Sequence, residues 1–207
     1  MELKKFGFAY IIGDKGSGKT TLATAMAKID HDAGAPVYLN YPVSFTAKSN
    51  YTAANGLPES MTAEEIVEDF NTDPQKFHGA TIVFDEAHRG FSARKFFQQS
   101  NNSLVDFVSM LRKLKATLVL VSQKFRKVDK WVREDAEYII AMEAEHPELE
   151  HNEHFYMRVY DQNSGSVHGF LHPDRISWEG WFHGKQYFKL YDTDLIIGFN
   201  KNYQKKQ

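Results

Sequence analysis

The chain has no cysteine among its 207 residues, which excludes a disulfide framework and fits a cytosolic compartment. Long apolar runs are missing too: nowhere do about 18 apolar residues follow one another, as a membrane-crossing helix requires. Met1-Glu2-Leu3-Lys4-Lys5 leads directly into the first apolar segment and leaves no room for a signal peptide. A soluble chain without a transmembrane segment is expected. Nor does one sign of charge dominate. With 25 Lys and Arg against 27 Asp and Glu, the net charge is -2, so any contact with DNA or RNA has to come from a local patch. Internal repeats and low-complexity tracts are also absent. What is present is 42% hydrophobic and 14% aromatic residues, enough to bury one substantial core in a single α/β domain.

The most informative segment is Gly13-Asp14-Lys15-Gly16-Ser17-Gly18-Lys19-Thr20, a G-x-x-x-x-G-K-T loop. It is entered from the apolar run Phe8-Ala9-Tyr10-Ile11-Ile12 and followed by Thr21-Leu22-Ala23-Thr24-Ala25-Met26-Ala27, which reads as helix. Strand, glycine loop and helix together form a triphosphate cradle. The glycines let successive backbone N–H groups turn toward phosphate oxygens, and the helix N-terminus adds partial positive charge. Lys19 then reaches the β- and γ-phosphates, and the Thr20 hydroxyl ligates Mg²⁺. The expected ATP-binding set is Gly13, Asp14, Lys15, Gly16, Ser17, Gly18, Lys19, Thr20 and Thr21.

Downstream, Val37–Tyr41 reads as a second strand, and Pro42 to Ser60 as a polar surface excursion. A helix is expected from Met61 to Phe70, with Thr62 and Glu65 at capping-box spacing. Ala80–Phe84 is a third strand, apolar on both faces as a buried parallel strand should be. Helical spacing from Leu104 to Leu114 leads into a fourth strand, Ala116–Val121. Asp129–Glu134 suggests a short helix, and Glu137–Met142 a fifth strand. His154–Tyr160 and Val167–Leu171 flank the turn signal Asp161-Gln162-Asn163-Ser164-Gly165 and are expected to form a hairpin that extends the sheet. The organisation expected is one domain over 1–207. Its core spans about 6–143, the hairpin and C-terminal extension about 144–199, and a polar tail 200–207.

Cleaving the β–γ bond needs a metal, neutralised phosphates and a group that orients water in line. Asp85, closing the third strand, is placed to hold Mg²⁺ through its water shell, as a Walker B aspartate does. The adjacent Glu86 is placed to polarise the attacking water. A kinase that transfers phosphate to an acceptor needs that second carboxylate less. Gln123, at the end of the fourth strand, falls in the ligand crevice of a parallel sheet beside the glycine loop, where its amide can touch both the γ-phosphate and the water.

The loop, the strand ending in Asp85-Glu86-Ala87-His88, the following Phe91-Ser92-Ala93-Arg94, and Leu118-Val119-Leu120-Val121-Ser122-Gln123 carry a resemblance. Over about Phe8 to Met142, the chain resembles the ATPase core of the FtsK/HerA superfamily. Within it the chain is most similar to the compact genome-packaging ATPases of tailless, internal-membrane-containing viruses and to the zonula occludens toxin-like ATPases of filamentous phages. Tyr191-Asp192-Thr193 is similar to a short motif in those proteins. The resemblance implies an α/β, RecA-like P-loop NTPase. Its sheet would be central and mostly parallel, with helices on both faces and an extra strand between the P-loop and Walker B strands; the hairpin read above extends it. It also implies a homohexameric ring that translocates double-stranded DNA, packaging a viral genome into a preformed capsid at a virion vertex. Location would be the host cytoplasm, with virion association as the alternative. Such rings borrow an arginine from the neighbouring subunit to stabilise the transition state. The candidates are Arg89, Arg94, Arg126 and Arg133, with Arg126 and Arg133 favoured because they follow the strand that ends in Gln123.

Arg112, Lys113, Lys115, Lys124, Arg126, Lys127, Lys130 and Arg133 crowd both sides of the fourth strand, whereas Glu134 to Glu153 is acidic. Two readings stay open: a band that neutralises DNA phosphates without reading sequence, or a solvated face whose charges pair with the acidic stretch of the next subunit. The loop around Lys48, Ser49, Asn50 and Tyr51 is a second candidate DNA contact. His146, His151 and His154 alternate with Glu148, Glu150 and Glu153, which reads as an acidic exposed loop in preference to a metal site. Trp178, Trp181, Phe182, Tyr187, Phe188 and Tyr191 are expected to pack the C-terminal segment on the core, and either that segment or the hairpin would grip the capsid. Three rival functions remain: a filamentous-phage assembly ATPase, a P-loop kinase and a non-catalytic nucleotide-binding scaffold.

Overall fold

The computed structural model describes residues 7–45, 58–87, 104–123, 134–149, 152–162 and 171–191. Among these residues eight strands form one sheet in the order β3-β2-β4-β5-β1-β6-β7-β8. They are β1 (Gly7–Gly13), β2 (Val37–Leu39), β3 (Glu59–Ser60), β4 (Thr81–Phe84), β5 (Thr117–Ser122), β6 (Tyr138–Ala144), β7 (His154–Asp161) and β8 (Ile176–His183). Pairing is parallel from β3 through to β6 and antiparallel at β6–β7 and β7–β8. Among the described residues the helices are α1 (Lys19–Asp32), α2 (Ala63–Thr72) and α3 (Leu104–Lys113). Among the described residues no helix is long and apolar enough to cross a membrane.

Strands apolar on both faces need cover on both faces, and two buried clusters supply it. On one side Phe8, Tyr10, Ile82, Phe84, Leu118, Leu120 and Ile139 pack with Ile66 and Phe70 of α2, Phe77 of the 3-10 turn Pro74–Phe77, and Leu111 of α3. On the other, the alternate residues Ile11, Val37, Leu39, Val83, Val119, Val121 and Ile140 pack with Leu22, Ala23 and Ala27 of α1. The capping box of α2 forms as its spacing implies. Glu65 N–H donates to Thr62 Oγ1 at 3.1 Å, and Thr62 N–H donates to Glu65 Oε2 at 2.7 Å.

Strand order puts β5 between β1 and β4, so the strands ending in the glycine loop, Gln123 and Asp85 lie side by side with their carboxyl ends together. This crevice is where a parallel sheet receives its ligand.

The expected antiparallel extension of the sheet forms, with a different partner strand from the one read in the sequence. β7 forms, but it pairs with β6 on one edge and with Ile176–His183 on the other, so both of its hydrogen-bonding edges are filled. Of the expected partner strand, 167–170 lies outside the described residues and Leu171 stands in a turn. β8 faces its neighbours at period two. Trp178 and Phe182 pack against the cluster that includes α1, Ile176 packs against the opposite cluster across a register shift at Val159/Tyr160, and Ser177, Glu179 and Trp181 face out, with Trp181 51% exposed. The surface excursion also ends differently: Glu59–Ser60 adds a short strand parallel to β2. The second strand stops at Leu39 and not at Tyr41, and just beyond it the Asn40 side chain turns to the end of β4.

Candidate active site

The loop between β1 and α1 begins at Gly13, with Asp14, Lys15 and Gly16 exposed and Ser17 buried. Ser17 N–H donates to the Asp14 carbonyl at 3.2 Å, closing the turn. Gly18 sits at the N-cap of α1 with φ +77°, a left-handed conformation that costs other residues about 1–2 kcal/mol. A β-carbon there would also meet the Phe155 ring at 2.6 Å, so only glycine fits. The loop is thereby packed against β7, a strand from the far end of the chain.

Lys19 is 7% exposed and its ammonium donates to the Asp14 carbonyl at 2.5 Å, so it lies folded into its own loop. Burial pulls its pKa below the ordinary lysine value, and Asp85, Glu86 and Asp14 push against that shift. The Thr20 hydroxyl donates to Asp85 Oδ2 at 2.5 Å. Asp85 is 8% exposed, and burial raises its carboxyl pKa while the hydrogen bonds from Thr20 and from Glu86 N–H oppose the rise. A desolvated ammonium and a desolvated carboxylate side by side suit a site completed by a charged ligand. The hydroxyl and carboxylate oxygens of Thr20 and Asp85 are hard donors brought to one point, a pair that fits Mg²⁺.

Glu86 follows in a strained conformation, φ +50°, which an ordinary residue adopts only when its surroundings hold it there. Three contacts bear on that turn. Glu86 N–H donates to Asp85 Oδ1 at 2.7 Å, and Gln123 Nε2 donates to Glu86 Oε1 at 2.8 Å. The third contact is double: Asn40 Nδ2 donates to the Asp85 carbonyl at 2.9 Å, while Asp85 N–H donates to Asn40 Oδ1 at 2.7 Å. Lys19, Thr20, Asp85, Glu86 and Gln123 therefore converge on one end of the sheet.

A family model described as zonular occludens toxin (Zot) matches residues 9–194. The chain belongs to the Zot family. Among solved structures, this Zot-family chain is similar to the N-terminal domain of zonular occludens toxin from Neisseria meningitidis. Identity is 14%, coverage is 90% of this chain and 99% of that one, and the TM-score is 0.58. It is likewise similar to the genome packaging NTPase B204 of Sulfolobus turreted icosahedral virus 2 solved with ATP-gammaS, at 15% identity, 79% and 96% coverage and a TM-score of 0.53. The fold is that of a P-loop NTPase. A comparison with curated proteins finds no match.

Asn40 was missing from the sequence-derived set, although a polar residue closing an apolar strand of a parallel sheet is the signal that pointed to Gln123. Arg89, Arg94, Arg126 and Arg133, the lysines 124, 127 and 130, the loop 48–51, His151, residues 192–193 and the tail 200–207 lie outside the described residues. Within the basic band, Arg112 Nε pairs with Glu137 Oε1 of its own chain at 2.7 Å, while Lys113 and Lys115 are exposed. His146 pairs with Glu148 at 3.3 Å and His154 with Glu145 at 3.0 Å. Among the described residues no group of three or more His, Asp or Glu is arranged to hold a metal.

Proposed function

We propose that this chain hydrolyses ATP to drive a phage or virus assembly motor acting on DNA, with Zot-family membership favouring the assembly ATPase of a filamentous phage. The observation that carries the catalytic part is the Glu86 carboxylate, held beside Asp85 and reached by Gln123 across the crevice. In this reading Lys19 exchanges the Asp14 carbonyl for the β- and γ-phosphates. Thr20 and Asp85 would hold Mg²⁺, which would supply neutralisation of the phosphate charge. Glu86 accepts a proton from water as its oxygen attacks the terminal phosphorus, and the bond to the bridging oxygen breaks to give ADP and phosphate. Gln123, now bonded to Glu86, is the group that exchanges partners when a γ-phosphate arrives, and so reports cleavage. Assembly as a homohexameric ring would add an arginine from the neighbouring subunit, with Arg126 and Arg133 as candidates.

The second reading, packaging of double-stranded DNA into a preformed capsid at a virion vertex, is supported by the likeness to B204, of which 96% is covered. ATPase assays without DNA, with duplex and with single strands separate the two. Stimulation by duplex favours packaging, and stimulation by single strands alone favours filament assembly. Phosphate transfer to a small acceptor in place of hydrolysis, or binding with no turnover, would refute the motor.

A further inference from the structure

Thr21 is where two distant parts of the chain meet. It is the third residue of α1, directly after Thr20, and is 3% exposed. The first intrahelical bond runs from Leu22 N–H to the Gly18 carbonyl at 2.9 Å. The N–H groups of Lys19, Thr20 and Thr21 therefore belong to the opening turn whose donors a helix leaves for a ligand. Thr21 adds a hydroxyl to that turn, and this hydroxyl shares a 2.6 Å hydrogen bond with the phenol of Tyr191, 170 residues away.

Tyr191 is held from several sides. It bridges Val43 in antiparallel fashion, and Ser44 N–H donates to the Leu190 carbonyl at 2.7 Å. Its ring packs edge-on against Tyr41, with centroids 6.3 Å apart. The Tyr41 hydroxyl bonds Thr24 at 3.0 Å, and the Thr24 hydroxyl donates to the Thr20 carbonyl at 2.7 Å. Two tyrosines thus brace the first turns of α1. The 3-10 segment Lys185–Leu190 runs between two contacts with Thr21. At its start, a β-carbon on Gly184 would lie 3.0 Å from the Thr21 methyl and 2.8 Å from the Phe155 ring; at its end stands the Tyr191 phenol.

We propose that Tyr191 is a positioning residue for the nucleotide: its phenol orients the Thr21 hydroxyl in the phosphate-facing turn, so that nucleotide binding and docking of residues 185–191 stabilise one another. The inference rests on the reading of Gly13–Thr21 as an ATP cradle. When the phenol donates to Thr21, the Thr21 O–H is left to donate to a phosphate oxygen. Tyr191 itself touches no reacting atom. The coupling is reciprocal: the factor by which the docked segment tightens ATP is the factor by which ATP holds the segment down.

The test is calorimetric titration of Mg·ATP into the full chain as wild type, Tyr191→Phe, Thr21→Val and the double variant, with hydrogen exchange followed at residues 185–191. Each single substitution is expected to weaken binding about three- to tenfold, the range of one net hydrogen bond. The double variant should bind no worse than the weaker single. ATP should slow exchange at 185–191 in the wild type and not in Tyr191→Phe. Equal affinity of wild type and Tyr191→Phe, single effects that multiply, or exchange indifferent to ATP would each overturn the inference. Should Tyr191→Phe not fold, Thr21→Val decides: wild-type affinity with undiminished slowing of exchange overturns it. A wild-type chain that binds no ATP sinks the cradle reading and this inference together, whereas binding that ignores Tyr191 sinks the inference alone.

Discussion

Replacing Asn40 by alanine removes the double contact with the backbone of Asp85, in which the side chain donates at 2.9 Å and accepts at 2.7 Å. Both groups it serves belong to a residue that is 8% exposed, so water replaces the amide poorly. Leaving a buried N–H or C=O without its partner costs about 1–3 kcal/mol each. The lower half of that range, doubled, gives about 2–4 kcal/mol, or roughly 4–16 °C in melting temperature for a domain of this size. The same contact steadies the turn that carries Glu86 at φ +50°, and a displacement near 1 Å at a reacting group costs about 100-fold. Asn40→Ala should therefore melt earlier and lose about 10- to 100-fold in kcat, with ATP affinity within about threefold of wild type, since the phosphate loop is untouched. Thermal denaturation, calorimetric titration and steady-state hydrolysis measure the three quantities. Asn40→Asp separates bonding from bulk. It keeps an acceptor for Asp85 N–H but loses the donor and sets a second carboxylate near the first, so it should do at least as much damage as alanine. Unchanged melting and kcat in Asn40→Ala, or a benign Asn40→Asp, would refute the reasoning.

Glu86→Gln should retain ATP binding and lower hydrolysis by about 10²- to 10⁴-fold, read by radiolabelled phosphate release alongside calorimetry. Gln123→Ala should weaken ATP binding by no more than the roughly three- to tenfold of one hydrogen bond while lowering kcat further, because the residue bonds the Glu86 carboxylate at 2.8 Å and exchanges it for the γ-phosphate. Gly18→Ala should cost about 2–3 kcal/mol, combining the left-handed backbone with a clash at Phe155, and should weaken nucleotide binding; urea denaturation and titration check both.

Local signals in the chain carried the elements that position the crevice. The glycine loop sits between a run of five apolar residues and a helix start, and Thr62 with Glu65 marks the cap of α2, each within one stretch of sequence. β4 and β5 announce themselves as continuous apolar runs, and the place of β5 between β1 and β4 came with the family resemblance. Contacts made across the chain left no such mark. Asn40 meets Asp85 45 residues on, and Tyr191 meets Thr21 from the opposite end, so neither partnership has a spacing to read. β8 was hidden differently. Ile176, Trp178 and Phe182 do alternate, but Gly180 interrupts the apolar positions and Trp181 puts an aromatic on the outer face, so the segment reads as scattered aromatics. Taking Val167–Leu171 as the partner of β7 followed from the turn signal beside it, whereas among the described residues β7 pairs with Ile176–His183.

Equilibrium titration of Mg·ATP into the folded wild-type chain and into Lys19→Ala tests the account where it is most exposed. It predicts saturable binding at one site per chain, weakened about 10- to 100-fold when the ammonium is removed, as befits loss of a charge-assisted contact with phosphate. Absence of uptake by the wild type, or equal affinity in Lys19→Ala, would contradict it.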